Sequence, residues 1–319
     1  MVTFFQSRTG QRLRQNRVAW LAASLLLSFM LIAVFAPQLA PPTGQCLNDL
    51  GGDQAVSSEV YNPTTRVFWQ ALLLPPASCF QIRRLDFAQK PAAPSRQVWL
   101  GAAGGLDIWY GLVWGTRIAF YFGFLVTVSS AVIGIFVGAL AGYFRGWLDE
   151  LFMRLTDIVF AFPSLVLNIV LVTLLGRNLE NIALAFILTG WAGYARLIRS
   201  EVMRVGALEY VEGARALGAL HPRILLRHVL PNALTAFIAV VMLDMGSVVL
   251  ALSGLSFLGL GTPEGFADWG QIISLGRIWV TSPQYWYVTL YPGLTVVLWG
   301  LGWSLLGEAV RAALDPRGR

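Results

Sequence analysis

Hydrophobic residues in this chain gather into long blocks separated by polar, arginine-bearing segments. A helix needs about 20 apolar residues to cross the hydrocarbon layer of a membrane at 1.5 Å per residue. Six blocks reach or approach that length: Val18 to Ala36, Ile118 to Ala141, Phe152 to Leu175, Ile182 to Leu197, Leu234 to Leu252 and Val288 to Leu306. The fourth is the shortest, at 16 residues. The pattern predicts an all-α membrane protein with six transmembrane helices.

The first block has a basic lead in Arg8, Arg12, Arg14 and Arg17, and Val34-Phe35-Ala36 would satisfy the small-residue cleavage rule of a secretory signal. Its apolar run of about 19 residues exceeds the 7 to 15 of a signal core, so it is expected to stay as a span. Orientation follows from the arginines, because basic residues in short loops stay cytoplasmic. With the N-terminus inside, the inner segments hold the four arginines of the lead plus Arg145, Arg154, Arg196, Arg199, Arg204, Arg215, Arg223, Arg227, Arg311, Arg317 and Arg319. The two short outer loops hold Arg177 and Arg277. The expected organisation is residues 1–40 as a cytoplasmic N-terminus and first helix, 41–115 as an extracytoplasmic segment, and 116–319 as a five-helix core. Within that core a cytoplasmic loop occupies about residues 200–232.

Inside the second block Gly134, Gly138 and Gly142 repeat every four residues and line one face, where another helix can approach closely, from this chain or from another subunit. Trp269, Trp279, Tyr285, Trp286 and Tyr287 read as an interfacial aromatic belt.

Composition narrows the function classes. Hydrophobic residues make up 56% and charged residues 13%, half of the roughly 25% charge of a soluble domain, which excludes an ordinary soluble enzyme and a disordered chain. The net charge of +6 does not describe a nucleic-acid surface, since most of the chain has no water-facing surface to offer. Of 23 basic residues the only lysine is Lys90, within Ala88-Gln89-Lys90-Pro91. A phosphate-binding loop needs its lysine directly after glycine and before serine or threonine, so the chain cannot hydrolyse ATP by that route. His221 and His228, and Cys46 and Cys79, show no metal-ligand spacing, and no nucleophile–base set stands out.

The inner loop between the fourth and fifth blocks carries the strongest signal. Ala207 to Leu217 holds good helix formers, with Tyr210, Val211, Ala214 and Leu217 on one stripe. Gly218 follows where a left-handed helix cap favours glycine, and Pro222 sits where a new helix can start. The prediction is helix, sharp turn, short helix. Such a hairpin either docks another protein or lies on the membrane surface with its arginines near anionic lipid.

The run Tyr210-Val211-Glu212-Gly213-Ala214-Arg215-Ala216-Leu217-Gly218-Ala219, continued by Arg223-Ile224 and Arg227-His228-Val229-Leu230-Pro231-Asn232, resembles the EAA loop of bacterial ABC-transporter permeases. More narrowly it is similar to the C component of dipeptide/oligopeptide permeases. Gly142 to Leu165, Leu252 to Gly270 and Leu305 to Arg319 agree in order, so the resemblance covers about Gly101 to Arg319. It implies a type I ABC importer permease that forms half of a peptide pore in the bacterial inner membrane. It also implies partners: a homologous second permease, two ATPase subunits that bind ATP and magnesium, and an extracytoplasmic substrate-binding protein. On this reading the chain is non-catalytic and holds no cofactor. In the family the EAA glutamate enters a cleft on the ATPase, and its counterpart is Glu212; Gly218 matches the turn glycine, and Gly213, Ala214, Arg215 and Pro231 fall within the loop. Gly213 departs from the family's alanine. A second departure is Leu100 to Thr116, where Asp107 and Gly115 match but the basic and serine positions do not.

Permease features report the ATPase partner better than the solute, so another cargo such as a nickel chelate stays open. A self-sufficient secondary transporter is the rival from another class. The external segment would permit a Cys46–Cys79 bridge closing a loop of about 34 residues, worth about 3 to 4 kcal/mol, or two free thiols. Asp244, near mid-membrane, is a candidate pore-lining residue or a hydrogen-bonded packing residue. Asp157 and Arg154 are candidates for ordering the inner gate, with Arg154 or another arginine as the partner of Asp157.

Overall fold

The computed structural model describes residues 15–40, 90–262 and 266–314. Cys46 and Cys79, with most of the external segment, lie outside the described residues.

Helix α1 (Arg17–Val34) starts at Asn16, whose side chain accepts the Val18 N–H at 2.9 Å, and a short α2 (Ala36–Leu39) follows. Their outer carbonyls have no helical partners of their own, and the next helix supplies donors. The Arg117 guanidinium donates to the carbonyls of Ala33 (2.5 Å) and Val34 (3.2 Å), and the Trp114 indole donates to that of Ala40 (2.9 Å). A cation at a helix C-terminus also meets the negative end of the helix dipole.

A small hairpin pairs β1 (Ala102–Ala103) with β2 (Leu106–Asp107) through Gly104 and Gly105, both at positive φ. Asp107 then caps α3 (Ile108–Phe144), accepting the Tyr110 N–H at 3.4 Å. This helix begins ten residues before the apolar block that predicts it. Its first turns carry Trp109, Tyr110, Trp114 and Arg117, which hydropathy undervalues and the buried outer layer accommodates.

The expected third span is not one straight helix. It divides into α4 (Gly146–Phe160) and α5 (Ser164–Leu175), bent by 85° at Ala161-Phe162-Pro163. Pro163 lacks an N–H and disfavours helical backbone at the residue before it, so an apolar run that reads as continuous is cut there. Helix α6 (Leu179–Gly206) is much longer than its 16-residue apolar block, because ion-paired Arg199 and Arg204 continue the helix beyond the apolar stretch. The remaining elements are α7 (Glu209–Ala216), α8 (His221–Ile224), a π-helical turn (Leu225–Val229), α9 (Leu230–Phe257), α10 (Trp269–Gly276) and α11 (Trp286–Leu314).

The glycine face of α3 packs within the chain: a Cβ on Gly138 would meet Ala195 and Ile198 of α6, and one on Gly142 would lie 2.7 Å from the Arg199 carbonyl. An outer core gathers Phe29, Trp114, Phe122, Trp269 and Trp299, and an inner core gathers Tyr194, Ile198, Val202, Val211, Ile224 and Phe237. Two residues of the expected aromatic belt therefore belong to the interior. Trp269 and Tyr287 are buried, and the Trp269 indole donates to the Leu112 carbonyl at 3.2 Å in the space left by Gly115. Trp286 is exposed and Trp279 half-buried, as a belt requires. Asp268, also buried, caps α10 and accepts from the Gly270 N–H (3.0 Å) and the Thr262 hydroxyl (3.3 Å). Burial pushes its carboxyl up to about 6, against the hydrogen bonds that favour the charged form.

Candidate functional site

The hairpin at the inner ends of the spans is built from short-range rules. Leaving α6, the chain turns at Ala207 and Leu208, and α7 begins with Glu209 and Glu212 in its first turn and Arg215 in its last, the arrangement that suits the helix dipole. At its far end Gly218 adopts φ +77°, its N–H donating to the Arg215 carbonyl (2.9 Å) while the Ala219 N–H donates to that of Ala214 (3.2 Å). These two bonds form a Schellman cap, which needs a left-handed residue at the glycine position. Pro222 then opens α8. Pro231 opens α9, and the π-helical turn before it is where a ring without an N–H, crowding the carbonyl four residues back, is accommodated.

Burial separates the residues of the α7 stripe. Val211 is fully buried in the inner core, Ala214 half-buried, Tyr210 exposed along one edge and Leu217 almost wholly exposed. Leu217 and Leu220 flank the Gly218 turn with their side chains in the open. Glu212 and Gly213 face outward beside them, and nothing lies within 4 Å of where a Gly213 Cβ would be. Glu212 takes part in none of the four ion pairs among the described residues.

Two contacts tie α7 to different spans. The Tyr210 hydroxyl donates to the His228 carbonyl at 3.1 Å and accepts from Asn232 Nδ2 at 3.0 Å, linking α7 to the start of α9. Arg215 lies 5.9 Å from the ring centroid of Tyr143, at the inner end of α3, and the Tyr143 hydroxyl pairs with His221 Nδ1 at 3.1 Å. Neither role was apparent in the sequence, because both depend on residues 18 or more positions apart.

Of the gate candidates, Arg154 pairs with Glu150 one turn back (2.6 Å), while Asp157 pairs with Arg196 of α6. Arg196 also donates to the Thr156 hydroxyl (3.2 Å) and lies 4.2 Å over the Phe160 ring. Three residues on, Arg199 grips Asp149 of α4. On the other side of the bend, the Thr189 hydroxyl of α6 donates to Asn168 Oδ1 of α5 at 2.9 Å. Helix α6 thus holds both arms of the broken third span and runs directly into α7. Asp244 lies at the middle of α9, fourteen residues from Leu230 and thirteen from Phe257.

Residues 134–319 match the family described as "binding-protein-dependent transport system inner membrane component", and residues 5–57 match the "N-terminal TM domain of oligopeptide transport permease C". The chain is 31% identical to a dipeptide transport system permease protein of Alkalihalophilus pseudofirmus, over 96% of this chain and 88% of that one. It is 34% identical to a glutathione transport system permease protein of Pectobacterium atrosepticum, over 78% and 82%. Among solved structures, a chain of a methionine ABC transporter in inward-facing form superposes with a TM-score of 0.51 at 19% identity, covering 63% of this chain and 96% of that one, a likeness of fold.

Proposed function

The chain belongs to the family of binding-protein-dependent transport system inner membrane components, and from that premise we propose that it is the non-catalytic permease subunit of an ATP-driven peptide importer. Peptide cargo is supported by the names of its relatives, which include dipeptide, oligopeptide and glutathione permeases. The chain forms half of the pore and pairs with a homologous permease, two ATPase subunits that bind ATP and magnesium, and an external binding protein that delivers cargo.

The observation that carries the coupling role is the anchoring of α7. The helix offers exposed Glu212 and Leu217 outward, while Val211, Tyr210 and Arg215 fix it to the inner ends of three spans. Closure of the ATPase pair moves α7 as a rigid piece. That displacement reaches α6 through the short Ala207-Leu208 connection, α9 through Tyr210 and Asn232, and α3 through Tyr143. Through Arg196, Arg199 and Thr189 it reaches both arms of the bent span. Gly213, Ala214, Gly218 and Pro231 give the loop its shape, and Glu212 makes the contact in the ATPase cleft.

The test is reconstitution in proteoliposomes with and without the ATPase subunits and the binding protein. Uptake of a labelled dipeptide that requires ATP, both ATPases and the binding protein is the expected result. Uptake by the permease chains alone would establish a self-sufficient carrier and reject the proposal, and ATP-driven uptake of a nickel chelate but no peptide would reject the cargo assignment.

A further inference from the structure

We propose that Asp244, with Tyr194 and Ser247 as its hydroxyl partners, forms a mid-membrane subsite for a primary ammonium group, the N-terminal amine of the peptide cargo. The choice of cargo amine rests on the peptide-import reading; the cation site itself does not.

Helix α9 is covered in most directions. Met245 and Val249 lie against Gly123 of α3; Gly246 lies against Gly300 and Trp303 of α11; and Phe237 stacks edge-on to Tyr194 of α6 at 5.3 Å. One direction is left over. Positions 244, 247, 254 and 258 share that face and are half-buried or exposed, while Val240 and Ala251 on the same side pack partly against the inner and outer cores. A Cβ placed on Gly254 there meets nothing within 4 Å. A face turned to lipid would be apolar, because irregular polarity at this depth is tolerated only toward water or protein. This face carries a carboxylate at its centre and an exposed hydroxyl one turn on, which is the composition of a wall of an aqueous path.

Among the described residues the carboxylate has no counter-ion: none of the four ion pairs uses Asp244. The facing helix could have supplied one, since α6 carries Arg196 and Arg199, but these are committed to Asp157 and Asp149 nearer the cytoplasm. What α6 presents to Asp244 is the hydroxyl of Tyr194, and the Ser247 hydroxyl lies 3.2 Å from the Asp244 carbonyl and 3.3 Å from Oδ1, sharing its one hydrogen between them. Both donors are neutral. They orient the carboxylate and occupy at most two of its four or so lone-pair sites, leaving the others toward the open face. A group with several N–H donors and one positive charge completes that set. Every unmodified peptide has one at its N-terminus, and its C-terminal carboxylate is repelled by the same site.

The experiment uses the assembled transporter carrying Ser247→Cys, read at residue 247 by mass spectrometry. The probes are 2-aminoethyl methanethiosulfonate, a primary ammonium reagent, and the anionic 2-sulfonatoethyl methanethiosulfonate. Labelling by the ammonium reagent should exceed that by the anion, and the ratio should fall about tenfold when Asp244→Asn is added, the scale of one charge-assisted hydrogen bond. In parallel, Asp244→Asn in the otherwise unaltered chain should raise the KM for uptake of a free dipeptide about tenfold, and Asp244→Glu should restore it. Failure of both reagents to reach residue 247, or a ratio unchanged by Asp244→Asn, would overturn the site. A wild-type complex that carries no peptide would reject the peptide reading instead, and the labelling ratio would still decide the cation site.

Discussion

Arg199 holds Asp149 side-on through one edge of its guanidinium, Nε to Oδ1 at 2.5 Å and Nη2 to Oδ2 at 2.6 Å, so that α6 and α4 are joined by a fork rather than a single bond. The two side chains are 31% and 17% exposed, against 43% and 66% for Arg196 and Asp157 one turn away. Exposed pairs are worth little, at most about 1 kcal/mol, whereas a bidentate pair partly removed from water leaves a costly charge behind when one member is lost. Asp149→Asn should therefore lower the thermal midpoint of the purified complex by the equivalent of about 1–3 kcal/mol, and clearly more than Asp157→Asn. A charge exchange, Asp149→Arg with Arg199→Asp, should recover part of the loss. Equal effects from the two asparagine variants would show that burial does not set the strength of these links.

The buried carboxyl of Asp268 gives the outer face a pH dependence whose sign can be worked out. Its folded value of about 6 lies above the ordinary 3.8, so between those values the folded chain binds more protons than the unfolded one. Stability then falls as pH rises through about 6 and is regained as the pH drops toward 4. Asp268→Asn keeps an N-cap oxygen for the Gly270 N–H and removes the titration. The thermal midpoint of the wild type relative to Asp268→Asn should climb between pH 7 and pH 5; a difference that stays flat, or runs the other way, would contradict the burial argument.

The spans and the hairpin around Gly218 were legible in the sequence because each depends on local pattern: apolar length, and a glycine where the backbone must turn left-handed. The bend of the third span was available in Pro163 but masked by the apolar residues around it. The ends of α3 and α6 were misplaced for a shared reason. Tryptophan, tyrosine and arginine read as polar interruptions until the structure supplies their partners, as the carbonyls of Ala33 and Val34 do for Arg117. Partnerships such as Tyr210 with Asn232, or Arg196 with Asp157, join residues far apart in the chain and could not be read from spacing.

Gly213 and Gly218 sit five residues apart in the same hairpin, and replacement by alanine should act in opposite directions. Gly213 is helical with open space where a Cβ would go, so Gly213→Ala should stabilise the hairpin by up to about 1 kcal/mol. Gly218 has equally open space but φ +77°, so the cost of Gly218→Ala is backbone strain of about 1–2 kcal/mol rather than collision. Gly218→Asn should cost less, since asparagine tolerates the left-handed region. Hydrogen exchange across residues 207–220 distinguishes these: slower exchange in Gly213→Ala, faster in Gly218→Ala, intermediate in Gly218→Asn.

Glu212 projects from α7 without an ion-pair partner among the described residues, while its neighbour Val211 is fully buried. Reversing its charge should therefore leave the fold intact and act only on what docks there. Glu212→Lys should insert and fold like the wild type, since an exposed surface substitution changes stability by only about 0.5 kcal/mol. On the proposed docking of Glu212 in a cleft of the ATPase, the lysine reverses the charge of that contact, and the ATPase subunits should no longer co-purify with the permease pair or drive uptake. Val211→Asp is the contrasting variant: it puts an unpaired charge in the inner core and should reduce the amount of folded chain as well. Normal ATP-driven uptake by Glu212→Lys would remove this residue from the coupling contact, and loss of folded protein in that variant would place it in the core with Val211.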